Sequence, residues 1–488
     1  FDFKREDRTV ESLREARTTG FRFEDYQAGI AVRNMLGIDW GLKHQLRYDF
    51  LYDPRRPGQT RKQAETRTLE VQGELDPERN LKGRFSFAYR DKDFSDFFER
   101  LPADSLPLYQ PDAQFQDTSW QDRQSHLANF DLQYRNESGT LSARWNYKVA
   151  SELQALREIR YLKVDETRGN FRYDSTLAEY VPDPQGDYIQ LFFQTGNFES
   201  VIRLESAVQL QYSPRATAKS EKFWKDLFNR TSTTTYVKVE EQSRENNILD
   251  IYLLNLDKFH NAASSLRGVY IINQDINYNE RNPIWGLLLR SRYRDNLSNQ
   301  FLDANNNETR IAWERIVQLR RLFFRRKLNI TGEYQNSFNK RWVAASPSRN
   351  LNILTEAYVG RFNYRPTIRW QFQVDLERGI QQDRNETNPL RVNYWDIKPQ
   401  ISFSLRGKAR ATANLAYLAV EEVDNPAARA IPFEMGKGKK VGDSWQWNAR
   451  FEYFISSNIT INANYNGRRD AAALRTLHLG KAEVRAFF

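Results

Sequence analysis

Apolar and polar residues alternate strictly over long stretches of this chain. From Ile368 to Glu377 every even position is apolar and every odd position is polar. The same alternation recurs at four further places, namely 128–135, 141–148, 447–453 and 459–466. Successive side chains of a β-strand point to opposite faces, so a period of two predicts amphipathic strands.

Extending this pattern along the chain predicts an antiparallel sheet of about 20 strands, within a range of 18 to 22. An even number lets the first and last strands begin and end on the same side. The strands are expected at 43–54, 66–76, 81–91, 125–136, 139–150, 153–164, 198–213, 233–241, 247–257, 264–278, 284–295, 310–320, 325–334, 353–365, 368–378, 391–406, 409–420, 446–455, 459–467 and 475–488. Alternation is weakest over 233–278 and 310–324.

The lengths of the strands and of their connections favour a sheet that crosses a membrane. Strands of roughly 9–14 residues exceed the ~5–6 typical of soluble sheets and match the length that a tilted strand needs to cross hydrocarbon. Tight links, such as 366–367 and 456–458, alternate with long ones, such as 91–124 and 421–440. A large soluble antiparallel sheet is the alternative, but its polar face would not need to be so densely charged.

Composition agrees with a sheet that is wet on one face and aromatic on the other. The 488 residues include no Cys, which excludes disulfides and thiolate metal sites. No run of about 18 apolar residues occurs, which excludes a transmembrane helix. Aromatic residues make up 14% of the chain, yet its mean hydropathy is −0.77. Disordered chains are polar but poor in aromatics, whereas a barrel with a charged lumen gives both values at once.

The C-terminal segment carries a resemblance to a known class of proteins. Gly480, Val484 and Phe488 share one face of the last predicted strand, which ends in an aromatic residue. This tail resembles the assembly signal of Gram-negative outer-membrane β-barrels. The resemblance implies a closed antiparallel transmembrane β-barrel in the cell outer membrane, with short periplasmic turns and long extracellular loops. Its expected partners are outer-membrane lipid and the barrel assembly machinery.

On this interpretation the chain divides into two parts. Residues 43–488 form the barrel, and residues 1–42 form a periplasmic N-terminal segment or a partial plug. The chain begins at Phe1 without a basic start and an apolar core, so we expect any signal peptide to precede it.

The alternation also predicts which side chains meet lipid and which line the lumen. The residues expected to face lipid are Trp370, Phe372, Val374, Phe451 and Ile461. The residues expected to face the lumen are Arg369, Gln373, Asp375, Arg450 and Glu452. If Phe488 belongs to an assembly signal, its replacement by Ala should lower the yield of insertion.

Charge and chemistry exclude several other functions. The net charge is +10, with 73 basic and 63 acidic residues. The basic residues are interleaved with acids along the whole chain, which favours ion pairs inside a barrel over a nucleic-acid surface. The four His residues show no metal-ligand or catalytic-triad spacing, so we expect no enzyme activity, no catalytic residues and no cofactor.

One segment between predicted strands contains a candidate metal site. Asp183 and Asp187 flank a Pro-Gln-Gly turn and are the candidate oxygen ligands for Ca²⁺. The spacing departs from the EF-hand loop, and turn-forming Asp residues are the alternative explanation. The surrounding segment, 169–188, resembles connecting regions of large outer-membrane proteins from Bacteroidota.

Three functions therefore remain open from the sequence. The first is an outer-membrane pore or channel with a charged, Arg-rich lumen. The second is a barrel scaffold or subunit of a larger outer-membrane complex, with partner proteins bound at its long loops. The third is a soluble extracellular β-rich binding protein. Selectivity depends on lumen geometry, so the solute is not predicted.

Overall fold

The fold is described from a computed structural model of the 488-residue chain. The description covers residues 2–486 except for the positions listed next. These are 13–16, 54–55, 57, 76–79, 101–122, 166–167, 176–178, 215–222, 245–247, 253, 346, 385–388, 427, 429, 457, 472 and 474. Phe488 of the expected assembly signal and most of the long loop 91–124 lie outside the described residues.

The described residues form 22 strands that belong to one sheet. The strands are β1 (Asp2–Ser12), β2 (Arg17–Met35), β3 (Ile38–Tyr52), β4 (Thr60–Leu75), β5 (Leu81–Phe94), β6 (Arg123–Arg135), β7 (Leu141–Lys163), β8 (Gly169–Asp174), β9 (Glu179–Gly186), β10 (Tyr188–Tyr212), β11 (Thr231–Ser243), β12 (Ser265–Tyr278), β13 (Trp285–Ser298), β14 (Glu308–Phe323), β15 (Leu328–Trp342), β16 (Leu351–Tyr364), β17 (Trp370–Asp383), β18 (Leu390–Leu405), β19 (Ala409–Asp424), β20 (Gly442–Phe454), β21 (Ile459–Arg469) and β22 (Leu477–Ala486). The all-β antiparallel class that the sequence predicts is confirmed.

The sheet is a meander in which each strand pairs antiparallel with the next. The one departure is at β7, which pairs with β10 over most of its length, while β8 and β9 form a hairpin between them. Among the described residues β1 pairs only with β2, and β22 only with β21. The predicted closure into a barrel is therefore wrong for this structure. Closure depends on strand number and stagger, which a period of two does not specify.

The predicted number of 20 strands is also wrong, and the differences have local causes. The predicted strands at 139–150 and 153–164 are one long strand, β7. The segment predicted as a strand at 247–257 contains a helix instead. The sequence missed β1, β2, β8 and β9. In β2 most apolar residues occupy odd positions up to Phe23 and even positions from Tyr26 onwards, which hides the alternation. Residues predicted as a separate segment or plug instead pair with β3 and continue the sheet.

The two ends of the sheet differ in the length of their connections. At one end, here called the short-turn end, most links have two to six residues, at 36–37, 136–140, 279–284, 324–327, 365–369, 406–408 and 455–458. The opposite end, here called the long-loop end, carries the long links 95–122, 164–187, 244–264 and 425–441. Because the meander reverses direction at every strand, β1 begins and β22 ends at the short-turn end.

Three short α-helices lie in the described parts of the connections: α1 (Asp96–Glu99), α2 (Phe223–Arg230) and α3 (Ile248–Tyr252). No helix among the described residues is long and apolar enough to cross a membrane. Helix α3 packs on β7 and β10, where Ile251 joins a buried cluster with Val149 and Leu204. Burial raises the pKa of Tyr252 above its ordinary value, so its hydroxyl stays protonated.

Candidate functional site

One face of the sheet is polar across nearly its whole width. This polar face carries Glu205 of β10, Asp375 of β17 and Glu452 of β20, and the register aligns it from strand to strand. Directly opposed pairs on this face are Gln45 and Thr68, Ser86 and Asn129, Lys148 and Glu205, Asp275 and Arg290, Arg292 and Glu314, Asp375 and Lys398, and Arg410 and Glu452. Successive side chains of a strand point to opposite faces. The alignment of the polar face therefore also aligns the residues of the opposite face from strand to strand.

Charges on the polar face are paired between neighbouring strands. Arg290 donates two hydrogen bonds of 2.8 Å to the Asp275 carboxylate, and Arg361 lies 2.8 Å from Glu333. Lys238 lies 2.8 Å from Glu205. Such cross-strand pairs stabilise the sheet modestly and keep the charges in defined positions. The face therefore presents interleaved positive and negative groups rather than a block of one sign.

Side chains of the polar face surround a cavity of about 780 Å³. Its walls come from β4, β5, β6, β7, β10 and β11, through Glu74, Arg84, Asp131, Arg144, Glu205 and Tyr236. The sheet must curve towards this face for six strands to reach one space. The cavity is large enough for many water molecules, and its lining is charged.

The opposite face, here called the apolar face, is rich in exposed aromatic side chains. Trp370 packs against Phe403 at 4.7 Å between ring centroids, and both Trp370 and Phe372 remain 39% exposed. Phe451 is 44% exposed and stacks on Tyr453. Soluble monomers rarely expose apolar surface so extensively.

Along β17 the apolar face extends from Trp370 to Arg378. Trp370 lies near the short-turn end, and Arg378, eight residues further along β17, lies 5.1 Å above the ring of Trp395. Eight residues at roughly 3.3 Å each span about 26 Å along the strand. A tilt of about 40° reduces this to about 20 Å, close to the ~25 Å apolar band of membrane barrels.

The strand register shows on which face of the sheet the residues predicted to face the lumen or the lipid lie. Gln373 and Asp375 share the polar face, and Gln373 donates to Asp375 at 3.3 Å. Arg450 and Glu452 lie opposite Thr412 and Arg410 on the same face. Arg369 precedes β17 and is exposed.

The residues expected to face lipid lie on the other side of the sheet. Phe372 is opposite Ile401, and Val374 is opposite Pro399. Ile461 is opposite Val484, which is 66% exposed. Gly480 lies opposite Tyr465, and a Cβ atom added to Gly480 would have no atom within 4 Å.

At the long-loop end, loop 425–441 folds onto the polar side of the sheet. Met435 is fully buried in an apolar cluster with Ile353, Val392, Tyr394 and Val420, which here replace charged residues. The backbone N–H of Gly436 donates to Gln381 at 2.7 Å. The loop therefore covers this part of the sheet, and the alternation of the strands alone did not indicate it.

The hairpin of β8 and β9 reaches across to loops of strands far along the sheet. Asp183 accepts hydrogen bonds of 3.0 and 3.3 Å from Arg468 of β21. Glu179 accepts one of 2.8 Å from Arg349, which also donates to the backbone oxygen of Asn305. Strands β7 and β10, which have 23 and 25 residues, supply the reach. We call β8, β9 and the parts of β7 and β10 that extend beyond their pairing with β6 and β11, residues 151–163 and 188–201, the flap.

Positive residues dominate the space beneath the flap. A cavity of about 490 Å³ is lined by Arg172, Lys437, Lys439, Lys440 and Arg468, together with Asp183 and Asp470. Lys439 lies 2.5 Å from Asp470, and Lys440 lies 3.8 Å from Asp174. These pairs bind the flap, loop 425–441 and the end of β21 to one another.

The two candidate calcium ligands lie in different surroundings. The carboxylate of Asp183 accepts a hydrogen bond from Arg468 and lies 3.5 Å from the guanidinium group of Arg172. Asp187 lies 4.0 Å from Lys163. The described part of the chain contains no group of three or more possible metal-ligating residues.

Comparisons with known proteins give only distant similarities. No family model matches the chain, and no curated protein matches it. Among solved structures, it is similar to the siderophore receptor PirA from Acinetobacter baumannii, at 7% identity and a TM-score of 0.38, covering 99% of this chain and 72% of that one. It is also similar to the siderophore receptor PiuA from the same organism, at 9% identity and a TM-score of 0.39, covering 99% of this chain and 74% of that one. The similarity to the outer membrane transporter YddB from Escherichia coli has 11% identity and a TM-score of 0.36, and it covers 96% of this chain and 76% of that one. Scores this low do not assign the chain to a family.

Proposed function

We propose that the chain is a transport protein of the Gram-negative outer membrane, which spans the bilayer with its strands and passes polar solutes along its polar face. One observation carries the proposal. The strand register keeps charged and amide side chains on one face and aromatic and aliphatic side chains on the other, across consecutive strands. A membrane-spanning sheet around an aqueous path requires this division.

The exposed apolar face argues against a soluble binding protein. Trp370, Phe372, Phe451 and Tyr453 would contact water together, with 39–44% of each side chain exposed. Burial of such surface in lipid is favourable by about 25 cal/mol per Å² of apolar area.

The long-loop end suggests that passage is restricted. The flap and loop 425–441 both lie over the polar side of the sheet and are held by ion pairs. We propose that they narrow the path, so that the protein is selective rather than a wide general pore.

Reconstitution of the full chain into a planar bilayer tests the proposal. We expect insertion only from detergent or from a chaperone-bound state, and discrete conductance steps after insertion. A chain that is monomeric and folded in buffer without detergent would contradict a membrane role. Insertion without any conductance or solute uptake would contradict transport.

The two edges of the sheet favour a second candidate function, that of a subunit in a larger outer-membrane assembly. In the described residues the outer edges of β1 and β22 have no neighbouring strand. Unpaired backbone N–H and C=O groups are costly in hydrocarbon and accept strands from other chains. Native mass spectrometry of the detergent-extracted protein tests this: a stable complex with another chain supports it, and a pure monomer contradicts it.

A further inference from the structure

The short-turn end carries a concentration of basic residues that the pairing on the polar face does not explain. Three adjacent links, 324–327, 365–369 and 406–408, join β14 to β19 in succession. Their basic residues are Arg325, Arg326, Lys327, Arg365, Arg369, Arg406 and Lys408, all of them exposed. Links of neighbouring hairpins lie roughly 10 Å apart, so these charges occupy about 20 Å of rim.

These basic side chains differ from several of those at the opposite end. Within the described part of the chain, none of the seven side chains takes part in an ion pair or a hydrogen bond; the contact that Arg369 makes with Thr367 is donated by its backbone N–H. At the long-loop end, by contrast, Arg341, Arg349 and Arg468 are each bound to an acidic residue. The three links themselves contain no acidic residue. The rim therefore presents positive charge that its own chain does not neutralise.

Exposed apolar side chains lie among these charges. Phe324 is 71% exposed at the first link, and Ile368 is fully exposed at the second. Ile284, at the neighbouring link 279–284, is 56% exposed. Ile368 lies two residues before Trp370, at the short-turn edge of the apolar face.

Helix α2 lies further along the same rim, next to link 279–284. Its Phe223, Trp224 and Phe228 are 71%, 68% and 59% exposed. The helix is held to the sheet through Asn279, whose N–H donates 3.0 Å to the backbone oxygen of Arg230. An aromatic face on a short helix beside basic residues is typical of a segment that lies in a lipid headgroup layer.

We propose that this rim, from α2 to link 406–408, binds anionic phospholipid headgroups, with its apolar side chains inserted at the edge of the hydrocarbon. The inference rests on the proposed membrane function and goes beyond it by naming a lipid class. Unpaired cations attract anionic headgroups, and aromatic and long basic side chains favour the interface. A soluble anion would explain the charges but not the exposed Phe324, Ile368 and Trp224, whose continuity with the apolar face favours lipid.

The test uses the full chain in nanodiscs that contain equal amounts of phosphatidylglycerol and phosphatidylcholine. Native mass spectrometry counts the lipids that stay bound after the disc is removed. We expect the unmodified chain to retain phosphatidylglycerol preferentially. The variant Arg325→Gln/Arg326→Gln/Lys327→Gln should reduce that preference roughly tenfold, since each basic residue near an anionic surface contributes favourably and salt screens part of the effect.

A matched control removes three exposed basic residues from the long-loop end of neighbouring strands. Lys340→Gln/Arg384→Gln/Arg391→Gln makes the same change in net charge and should leave the preference unchanged. A second variant, Phe324→Ser/Ile368→Ser, should reduce retention of both lipids, because apolar insertion does not depend on headgroup charge. Circular dichroism checks that every variant keeps its strand content.

Three results would overturn the inference. These are equal retention of both lipids by the unmodified chain, an unchanged preference in the Arg325 variant, and binding of inorganic phosphate as tight as that of phosphatidylglycerol. A chain that inserts into the discs but retains both lipids equally contradicts this inference alone. A chain that does not insert into the discs contradicts the proposed function as well.

Discussion

Arg468, at the end of β21, makes a two-pronged ion pair with Asp183 of the flap, although 285 positions separate the two residues in the chain. Both side chains are largely buried, at 17% and 10% exposure. The pair joins the middle of the sheet to its C-terminal part. It therefore fixes the flap over the long-loop end more firmly than a surface ion pair would.

The first prediction concerns release of the flap. Arg468→Gln should weaken its attachment by roughly 1.5–3 kcal/mol, the usual value for a hydrogen bond to a charged group. Amide hydrogen exchange in β8 and β9 should become faster, and single-channel conductance should rise. Arg469→Gln is the control, since the neighbouring Arg469 is exposed and lies on the apolar face opposite Trp445. Equal exchange in both variants would show that the pair does not hold the flap.

The second prediction concerns the facing of β17. Phe372→Arg places a charge on the apolar face and should destabilise the membrane-inserted protein by roughly 2–4 kcal/mol. Gln373→Arg should have little effect, because its side chain lies beside Asp375 on the polar face. Urea unfolding in lipid vesicles measures both. Similar losses of stability would contradict the division of the sheet into two faces.

The sequence predicted the strands whose alternation is regular. It did not predict the elements whose secondary structure depends on contacts with distant parts of the chain. β17 was expected at 368–378 and is found at Trp370–Asp383. The stretch 247–257 is rich in Leu and Ile, but Ile248, Ile251 and Tyr252 are spaced for one face of a helix. That helix forms against β7 and β10, a surface that local sequence cannot reveal.

The flap could not be predicted for a related reason. The alternation specifies which side chains share a face but not how far the sheet curls, so it cannot bring Asp183 to Arg468. The sequence did single out Asp183 as unusual, but for a metal ion rather than for a guanidinium group. Likewise, β8 and β9 are short and lack regular alternation, so only the contacts with distant loops explain why they form.

The third prediction concerns a close contact at the long-loop end. A Cβ atom added to Gly379 would lie 2.2 Å from the ring of Tyr394, whose hydroxyl donates to Glu377 at 2.7 Å. Gly379→Ala should therefore destabilise the protein by about 1–3 kcal/mol through overpacking. Gly332→Ala is the control, since no atom lies within 4 Å of its added Cβ. Thermal unfolding in detergent should show a lower Tm for the first variant only, and an equal Tm would contradict the packing.

The last prediction concerns ion selectivity. Many positive and negative groups of the polar face are paired with each other, and seven basic residues whose side chains have no partner among the residues that the structure describes lie on the rim. We therefore expect only a weak preference for anions at low salt, which disappears as ionic strength rises and the Debye length falls below about 10 Å. Reversal potentials across a salt gradient measure it. Arg450→Gln should shift the potential towards cations, because Arg450 lies on the polar face, whereas Arg469→Gln should not. A strongly cation-selective current in the unmodified protein would contradict this charge distribution along the conducting path.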